Sequence, residues 1–352
     1  MQSTKWNRFK WFVDRLLDFK KKSYPLSSIG AKLIILGSPL SYVSITLLLP
    51  PKMVISGIEI TNNQMDTLSF ILTLMPMAVG IFLILHELKN QARNTARVII
   101  TGLPGLSNSF PSNILSKSEH RLSREPVELS APDENIHNLI KRYNAEICVD
   151  LFKRFVLHEN CEKIYIGGLA RIPFLVSYGA FLRNAKGIIY FDKMHRDLNW
   201  RLLDDEDRDI QIAPYNSLPE PNSNGDVGLA IAFSTLIEAQ QLPEWLRGHT
   251  VILTSNTNGA RNLIVNQSNL HRVSESIGKI IDQLSLNPKT KLVHLFLSVQ
   301  SSLAIEIGRR YQEGIQKNWV IHNYKGDEHR YDWAVKLSSS CLTFYADNAT
   351  AS

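Results

Sequence analysis

Residues 291–311 read KLVHLFLSVQSSLAIEIGRRY. An apolar run from Leu292 to Leu297 meets a short polar corner at residues 298–302, and an amphipathic stretch follows. An apolar strand that turns through small polar residues into a helix is typical of parallel α/β sheets. In such sheets ligands bind at the carboxyl ends of strands and the amino ends of helices. The corner at residues 298–302 is therefore the first candidate for a binding site.

The same plan occurs earlier in the chain. Residues 163–182, KIYIGGLARIPFLVSYGAFL, contain an apolar strand, a corner of small residues and a helical stretch. A further strand and Trp200 follow this unit, just as a further strand and Trp333 follow the unit at 291–311. Two copies of one plan predict two Rossmann-like halves in one domain. Pairing of the halves would bring both corners to a common cleft.

The sequence around and between these units predicts more of the same domain. Residues 226–242 read as a strand that passes into a helix, and residues 250–264 as a strand followed by a polar loop. Residues 271–284 have the period of an amphipathic helix. We place the globular domain at residues 136–345. Residues 89–135, much of them rich in Ser, Pro and Asn, are interpreted as a linker.

Two uncharged runs precede the linker. Residues 33–51, LIILGSPLSYVSITLLLPP, and residues 67–86, TLSFILTLMPMAVGIFLILH, contain no Asp, Glu, Lys or Arg. Each run is long enough, as a helix, to cross a hydrocarbon core. We therefore predict transmembrane helices at residues 29–51 and 67–88, with a periplasmic connector at 52–66. A cleavable signal peptide fits poorly because a second run follows closely, and a buried helical hairpin is the other alternative.

Basic residues set the predicted orientation. Seven Lys and Arg lie between Lys5 and Lys22, against two acidic residues, and Lys89 and Arg93 follow the second run. The connector carries one Lys and two acidic residues. Because cytoplasmic flanks are enriched in Lys and Arg, residues 1–28 are predicted to be a basic cytoplasmic segment. Everything after residue 88 is also placed in the cytoplasm.

Catalytic patterns are missing from the sequence. It contains no dinucleotide fingerprint, phosphate loop, nucleophile elbow, zinc-deaminase pattern or paired-histidine helix. The three cysteines and ten histidines lack metal-ligand spacing, and the carboxylate run at residues 204–207 has no spaced partner. We therefore expect no catalytic residue, no metal and no cofactor. The pattern favours a sensor over an enzyme.

Four segments carry a resemblance to a known family. HLFLSVQSSLAIEIGRRY (294–311) followed by VIHNY (320–324) resembles the most recognisable segment of SAVED domains. VGLAIAFST (227–235) and IYFDKMHRDLNW (189–200) are also similar to their SAVED counterparts. The similarity covers residues 136–345, although the first corner departs from the pattern. Since SAVED domains are similar to two fused CARF-like units, the resemblance implies an α/β cytosolic domain of two fused Rossmann-like (CARF-like) halves, preceded by two transmembrane α-helices.

With its two predicted spans, the chain resembles a transmembrane SAVED effector of CBASS, the bacterial anti-phage system driven by cyclic oligonucleotides. The resemblance implies an adenine-containing cyclic trinucleotide as ligand, made by a functionally linked cyclic-nucleotide synthase. It further implies a two-pass protein of the bacterial inner membrane whose ligand-induced homo-oligomer disrupts the lipid bilayer and causes abortive infection. A membrane-anchored Rossmann-like enzyme acting on a nucleotide or lipid, and a membrane tether, remain as alternatives.

Ligand chemistry then selects the candidate ligand-binding residues. Corner amides and helix dipoles suit phosphate oxygens, and bases stack on aromatic or guanidinium faces. The expected phosphate contacts are Ser298, Gln300, Ser301, Ser302, Gly167, Gly168 and Arg171. Stacking is expected from Trp200, Arg201 and Phe233, with Ser234 beside them, and base-edge contacts from Asn256, Asn258 and Arg261. Each has a structural alternative as a helix cap or a core aromatic.

Overall fold

The computed structural model of the chain describes residues 25–36, 53–55, 58–60, 62–93, 95–102, 109–123, 126–130, 135–146, 161, 163–183, 185–195, 199–214, 216–256, 262–338 and 341–346. The chain divides into two compact units, Met1–Arg93 and Asn94–Ser352. Both strand–corner–helix units of the sequence lie in the second.

The first unit contains two helices and a small hairpin: α1 (Pro25–Leu36), β1 (Met53–Ile55), β2 (Ile58–Ile60) and α2 (Asn62–Arg93). The helices cross at Gly30 and Gly80, where a Cβ added to Gly30 would lie 2.7 Å from the Gly80 carbonyl oxygen. The amide of Ser27 donates to the buried carboxylate of Glu87. Small residues at the crossing therefore allow the two backbones to touch.

The predicted spans fall on these helices in part. Residues 67–88 lie within α2, which continues through Pro76, whereas residues 37–51 of the first predicted span lie outside the described residues. Large apolar side chains are exposed along α1 and α2, among them Leu36, Met75 and Phe82. Within the described ranges, no helix has both the length and the apolar character that crossing a membrane requires.

The second unit opens with a five-stranded sheet. Its strands, in spatial order, are β4 (Val127–Ser130), β3 (Thr95–Thr101), β5 (Lys163–Leu169), β6 (Ile188–Lys193) and β7 (Trp200–Leu202). The first four are parallel, and β7 is antiparallel to β6. Helices α3 (Lys117–Leu122), α4 (Ile136–Glu146) and α5 (Ile172–Phe181) complete this half. Helix α3 begins with a capping box formed by Ser116 and Glu119.

The linker prediction for residues 89–135 is corrected by this sheet. Strand β3 is buried along its whole length and lies between β4 and β5. Its apolar run is short, and it includes Arg97, whose buried guanidinium bonds the ring of His120 at 3.0 Å. A strand buried on both faces is recognised in the sequence by a continuous apolar run of about four to eight residues, and in β3 the run extends only from Val98 to Ile100. The polar composition beyond residue 102 strengthened the error.

A seven-stranded sheet forms the second half. Its strands, in spatial order, are β14 (Leu342–Tyr345), β13 (Arg330–Leu337), β12 (Asn318–Lys325), β11 (Leu292–Ser298), β9 (Asp226–Ala232), β10 (Thr250–Ser255) and β8 (Ile212–Pro214). The central four, β12, β11, β9 and β10, are parallel, and the edge strands are antiparallel. Helices α6 (Gln267–Leu286) and α7 (Ser301–Arg309), with short 3-10 helices at Ala239–Gln241 and Glu244–His249, pack around it.

The predicted repetition of the two units is confirmed. The order β5, α5, β6, β7 matches the order β11, α7, β12, β13, and Trp200 and Trp333 each lie on the antiparallel strand that ends the series. One detail differs from the expectation. Residues 226–232 and 250–255 form strands as predicted and belong to the second sheet, but the segment after residue 233 forms only short 3-10 turns where a helix was predicted.

The two halves meet through their corner helices. A Cβ added to Gly179 of α5 would lie 1.9 Å from the carbonyl oxygen of Ile305, and one added to Gly308 of α7 would lie 1.9 Å from that of Val176. Each glycine is the eighth residue of its helix. Because glycine has no side chain, α5 and α7 cross in backbone contact. One hydrophobic core then spans both sheets.

Candidate functional site

Two cavities, of about 450 and 310 Å³, lie between the two corners. They share Ser234, Thr235 and Val299, so we describe them as the larger and smaller lobes of one inter-corner cleft. Both volumes fall in the range of small-molecule pockets. The larger lobe is lined by Leu169, Asp192, Lys193, Met194, His195, Ser234, Thr235, Asn262, Val299, Gln300 and Ser301. The smaller lobe is lined by Ala170, Arg171, Ile172, Ser234, Thr235, Leu236, Ile237, Gln241, Leu297, Ser298, Val299, Asn323, Tyr324 and Tyr331.

The two lobes are related by the repetition of the fold. The larger lobe lies where the start of α7 meets the end of β6, and the smaller where the start of α5 meets the end of β12. Ile188 pairs with the second residue of β5, and Trp319 with the second residue of β11. Asp192 and Asn323 follow them by four residues each, so these two side chains occupy equivalent positions. The lobes therefore differ at equivalent positions, with Asp in one and Asn in the other.

Ser298 holds the loop above the cleft. Its carbonyl oxygen accepts hydrogen bonds from the amides of Phe233 at 3.0 Å and Ser234 at 2.8 Å. Its hydroxyl oxygen accepts another from the amide of Thr235 at 2.9 Å. The end of β11 thus fixes the start of the loop after β9, and Ser298 and Ser234 both line the cleft.

The side chains of Gln300 and Ser302 are bonded within the protein. Gln300 donates to the carbonyl of Ile264 at 3.1 Å and accepts from its amide at 2.6 Å, which fixes the segment before α6. The amide of Ser302 donates to Asp192 at 3.1 Å, and the Ser302 hydroxyl donates to the same carboxylate. Ser302 is fully buried, whereas the half-buried Ser301 faces the larger lobe. The corner therefore presents Ser301 and Gln300 to the cavity, with Ser302 behind them.

Asp192 occupies the amino end of α7. Asp192 is 3% exposed, and its carboxylate also accepts a hydrogen bond from the side-chain nitrogen of Gln300 at 3.4 Å. Burial raises the pKa of Asp192 to about 7, against the hydrogen bonds from Ser302 and Gln300, which lower it. A carboxylate of this protein thus occupies the place where the corner was expected to hold a phosphate.

Two predicted phosphate contacts lie inside a strand. Gly167 and Gly168 belong to β5, one or two residues short of the corner. A Cβ on Gly167 would lie 2.3 Å from the Phe191 carbonyl oxygen, and one on Gly168 would lie 2.5 Å from that of Ile100. These glycines allow β5 to approach its neighbours, and the corner itself is formed by Ala170 and Arg171.

Other predicted contacts lie away from the two lobes. Trp200 of β7 packs edge-on against Phe191, with the ring centroids 5.4 Å apart. Arg201, also on β7, is the register partner of Asp192 on β6. Phe233 is 1% exposed and belongs to the core.

Three predicted base-edge contacts lie on the segment after β10. The side chain of Asn256 donates to the carbonyl of Asp209 at 3.1 Å and accepts from the amide of Gln211 at 3.3 Å, holding the segment before β8. Asn258 and Arg261 lie outside the described residues.

Several lining residues were not predicted. Lys193 is the last residue of β6, His195 follows two residues later, and Tyr324 lies near the end of β12. Their signal was present, because both strands were recognised and ligands collect at the carboxyl ends of parallel strands. The predicted polar contacts came from the segments after β5, β9, β10 and β11, and the equivalent ends of β6 and β12 were missed.

The smaller lobe supplies aromatic faces and a cation. The rings of Tyr324 and Tyr331 meet edge-to-face at 5.3 Å, and Tyr324 is 37% exposed. The guanidinium of Arg171 lies over the ring of Trp333 at 5.7 Å. Exposed aromatic rings and stacked guanidinium groups are surfaces on which nucleobases bind.

A cleft with polar corners and aromatic rings between two Rossmann-like halves suits a small-molecule ligand. Comparison with protein families gives the class a name. The model of the SAVED family, "SMODS-associated and fused to various effectors sensor domain", matches residues 150–337, more than half of the chain. The chain belongs to the SAVED family, and the predicted family is confirmed.

Solved structures with a similar fold include receptors described as Cap4 SAVED/CARF-domain containing. The Acinetobacter baumannii receptor with 3'3'3'-cAAA is 14% identical with a TM-score of 0.46, and the match covers 81% of this chain and 63% of that one. The same receptor with 2'3'3'-cAAA is 14% identical with a TM-score of 0.47, and the match again covers 81% of this chain and 63% of that one. The Moraxella osloensis receptor is 15% identical with a TM-score of 0.40, and the match covers 82% of this chain and 61% of that one. The matches thus span less than two thirds of those receptors. No curated protein matches the chain.

Proposed function

We propose that this chain is a sensor whose SAVED domain binds a cyclic oligonucleotide, with an adenine-containing cyclic trinucleotide as the first candidate, in the inter-corner cleft. The cleft carries the proposal, because residues from both halves line it in a member of a sensor-domain family. A ligand that touches both lobes contacts both halves at once. Its binding free energy can then depend on how the halves are arranged.

The polar and aromatic residues suit the parts of such a ligand. A cyclic trinucleotide carries three phosphate charges and three flat bases. Lys193 and Ser301 offer a cation and a hydroxyl donor in the larger lobe, and Arg171 offers a second cation in the smaller lobe. Tyr324 offers an aromatic face, and each stacked base contributes roughly 1–3 kcal/mol.

Calorimetry of the full chain against cyclic di-, tri- and tetranucleotides tests this proposal. We expect the cyclic trinucleotide to bind most tightly, and chromatography of the recovered ligand to show it unchanged, since the chain is proposed to sense and not to catalyse. cAAA in both linkages is the first ligand to use. Hydrolysis of the ligand would favour the Rossmann-like enzyme, and absence of binding across the panel would refute the sensor.

We further propose that the two uncharged runs anchor the chain in the bacterial inner membrane and carry its output. The sequence supports this through the basic flanks, and the exposed apolar side chains of α1 and α2 are of the kind that lipid covers. Ligand binding would favour a homo-oligomer that disrupts the bilayer, as expected of a CBASS effector linked to a cyclic-nucleotide synthase and to abortive infection. The ligand can drive this only by binding the assembled state more tightly.

Dye release from proteoliposomes, with light scattering of the detergent-solubilised chain, tests this second part. We expect added ligand to raise the oligomeric mass and to release the dye. Val79→Arg places a cation in an apolar run, which costs a few kcal/mol near a helix centre, whereas Val79→Leu keeps the run apolar. The Arg variant should bind ligand and release little dye, and the Leu variant should behave as the native chain. Ligand binding with a sealed membrane and unchanged mass would favour the tether.

A further inference from the structure

Asp192 links the two halves at the wall of the larger lobe. It lies near the end of β6 in the first half and accepts hydrogen bonds from Ser302 and Gln300, which begin α7 in the second half. The carboxylate is buried, yet it belongs to the lining of the cavity. The helix dipole and the Ser302 amide therefore act on a negative charge that the protein itself supplies.

An anionic ligand in the larger lobe must approach this carboxylate. Like charges at close range in a poorly hydrated site repel, and protonation of the buried acid removes the repulsion. Burial already raises the pKa of Asp192 to about 7, so protonation near neutral pH needs little further help. Among the described residues, Lys193 and His195 follow Asp192 at the cavity wall, and Arg201 is its register partner on β7.

The equivalent position in the other half has no such charge. Asn323 occupies the place of Asp192 beside the smaller lobe, and its side-chain nitrogen donates to Asp332 at 3.0 Å. A neutral amide is thus compatible with this position in the fold. The comparison provides a substitution, Asp192→Asn, that removes the ionisable group and keeps its size.

We propose that Asp192 is a specificity-determining residue of the inter-corner cleft, which takes up one proton from solvent when an anionic ligand enters the larger lobe. The inference rests on the proposed function. In the neutral acid, one carboxyl oxygen still accepts from the Ser302 amide, and the protonated oxygen donates. Charge on the ligand is thereby coupled to the contact between the two halves.

The sign of the pH effect follows from this linkage. A neighbouring ligand phosphate favours the protonated acid, so the pKa of Asp192 is higher in the complex than in the free chain. Above a pH of about 7, the free chain loses the proton that the complex retains. Affinity should therefore be constant at low pH and fall as pH rises through about 7, by up to about tenfold per pH unit, the limit for one proton.

Titration calorimetry of the full chain with cAAA, in two buffers of different ionisation enthalpy between pH 6 and 8.5, tests the proposal. The native chain should take up a fraction of a proton that grows above pH 7. Asp192→Asn should bind at all these pH values with no uptake and a flat profile. Asp226→Asn, which changes a buried carboxylate outside both lobes, is the matched control and should keep the native profile.

The outcomes separate this inference from the proposed function. If the native chain binds tightly, and its proton uptake and the pH profile of its affinity equal those of Asp192→Asn, the proposed role of Asp192 is refuted. The proposed sensor function would then still stand. If neither chain binds any cyclic oligonucleotide at any pH, the sensor itself is refuted, and the role of Asp192 with it. Should Asp192→Asn fail to fold, Asp192→Glu provides the second variant, which must retain proton uptake.

Discussion

At the scale of single residues, the inter-corner cleft is shaped by which polar groups are already bonded inside the protein. Ser302 and Ser301 are neighbours with the same side chain, but Ser302 is bonded to Asp192 and Ser301 faces the larger lobe. The sequence could predict the corner, because strand, polar turn and helix follow in order. It could not assign the two hydroxyl groups, since the partner of Ser302 comes from a strand 110 residues earlier.

Ser301→Asp should weaken ligand binding at least tenfold, about 1.4 kcal/mol. The reason is that a new carboxylate would lie in the lobe proposed to take up phosphate, beside the carboxylate of Asp192. Ser301→Asn is the control of nearly equal size and should bind within a few-fold of the native chain. Calorimetry at pH 7 measures both. Equal affinities for the Asp and Asn variants would remove this corner from the site.

A buried histidine pair predicts a second pH effect, on stability. His294 and His322 are bonded ring to ring at 2.9 Å between β11 and β12, and His322 stacks on Phe296. Burial, and then the neighbouring His294, hold the pKa of His322 well below its usual 6.5. Below pH 6.5 the unfolded chain therefore binds a proton that the folded chain excludes, and the free energy of unfolding falls.

The expected slope from His322 is at most about 1.4 kcal/mol per pH unit between pH 6.5 and 5. His322→Phe should flatten the slope even if its overall stability is lower, because the ionisable ring is gone. His137→Gln, at an exposed histidine, should leave the slope unchanged. Chemical unfolding at several pH values provides the measurement. An identical slope in His322→Phe and the native chain would show that this ring is not responsible.

At the scale of elements, the corner helices α5 and α7 decide how the halves join. The two helices, and the strands and corners that precede them, were predictable from the repeated pattern. The contact between them was not, because Gly179 and Gly308 read as ordinary helical glycines until their neighbours are known. Strand β3 was missed because its apolar run, Val98 to Ile100, is too short to indicate a buried strand and follows Arg97 directly.

Gly308→Ala should destabilise the second unit by at least about 2 kcal/mol, since its Cβ would lie 1.9 Å from a backbone carbonyl that cannot move independently. Gly278→Ala in α6 is the matched control. There the nearest atom to a new Cβ is 3.9 Å away, so alanine should stabilise the helix by up to about 1 kcal/mol. Denaturant unfolding of both variants checks the pair. Equal stabilities would contradict the close crossing of α5 and α7.

At the scale of the whole molecule, the account joins a SAVED sensor domain to an N-terminal unit proposed to lie in the membrane. The family was predictable because the segment that most resembles SAVED domains, residues 291–324, contains the second corner and its flanking strands. The extent of the domain was not, since the first sheet begins at Thr95, well before the predicted start at residue 136.

Topology is testable at this scale. Both termini are expected in the cytoplasm, because the basic residues flank the two uncharged runs and the connector is nearly neutral. A reporter active only in the periplasm should report when inserted at Asn62 and stay silent when fused at Ser352. Silence of the expressed reporter at both positions would be incompatible with two spans.

Photo-crosslinking with 8-azidoadenine-labelled cAAA, followed by mass spectrometry, tests the central claim most directly. The claim is that a cyclic oligonucleotide binds in the cleft between the two corners. The account predicts that the label appears on peptides that contain the lining residues 193–195, Tyr324 or Tyr331, and that unlabelled cAAA competes it away. It also predicts that Ser301→Asp reduces the labelling. Label confined to other parts of the chain, or label that excess ligand does not displace, would contradict it.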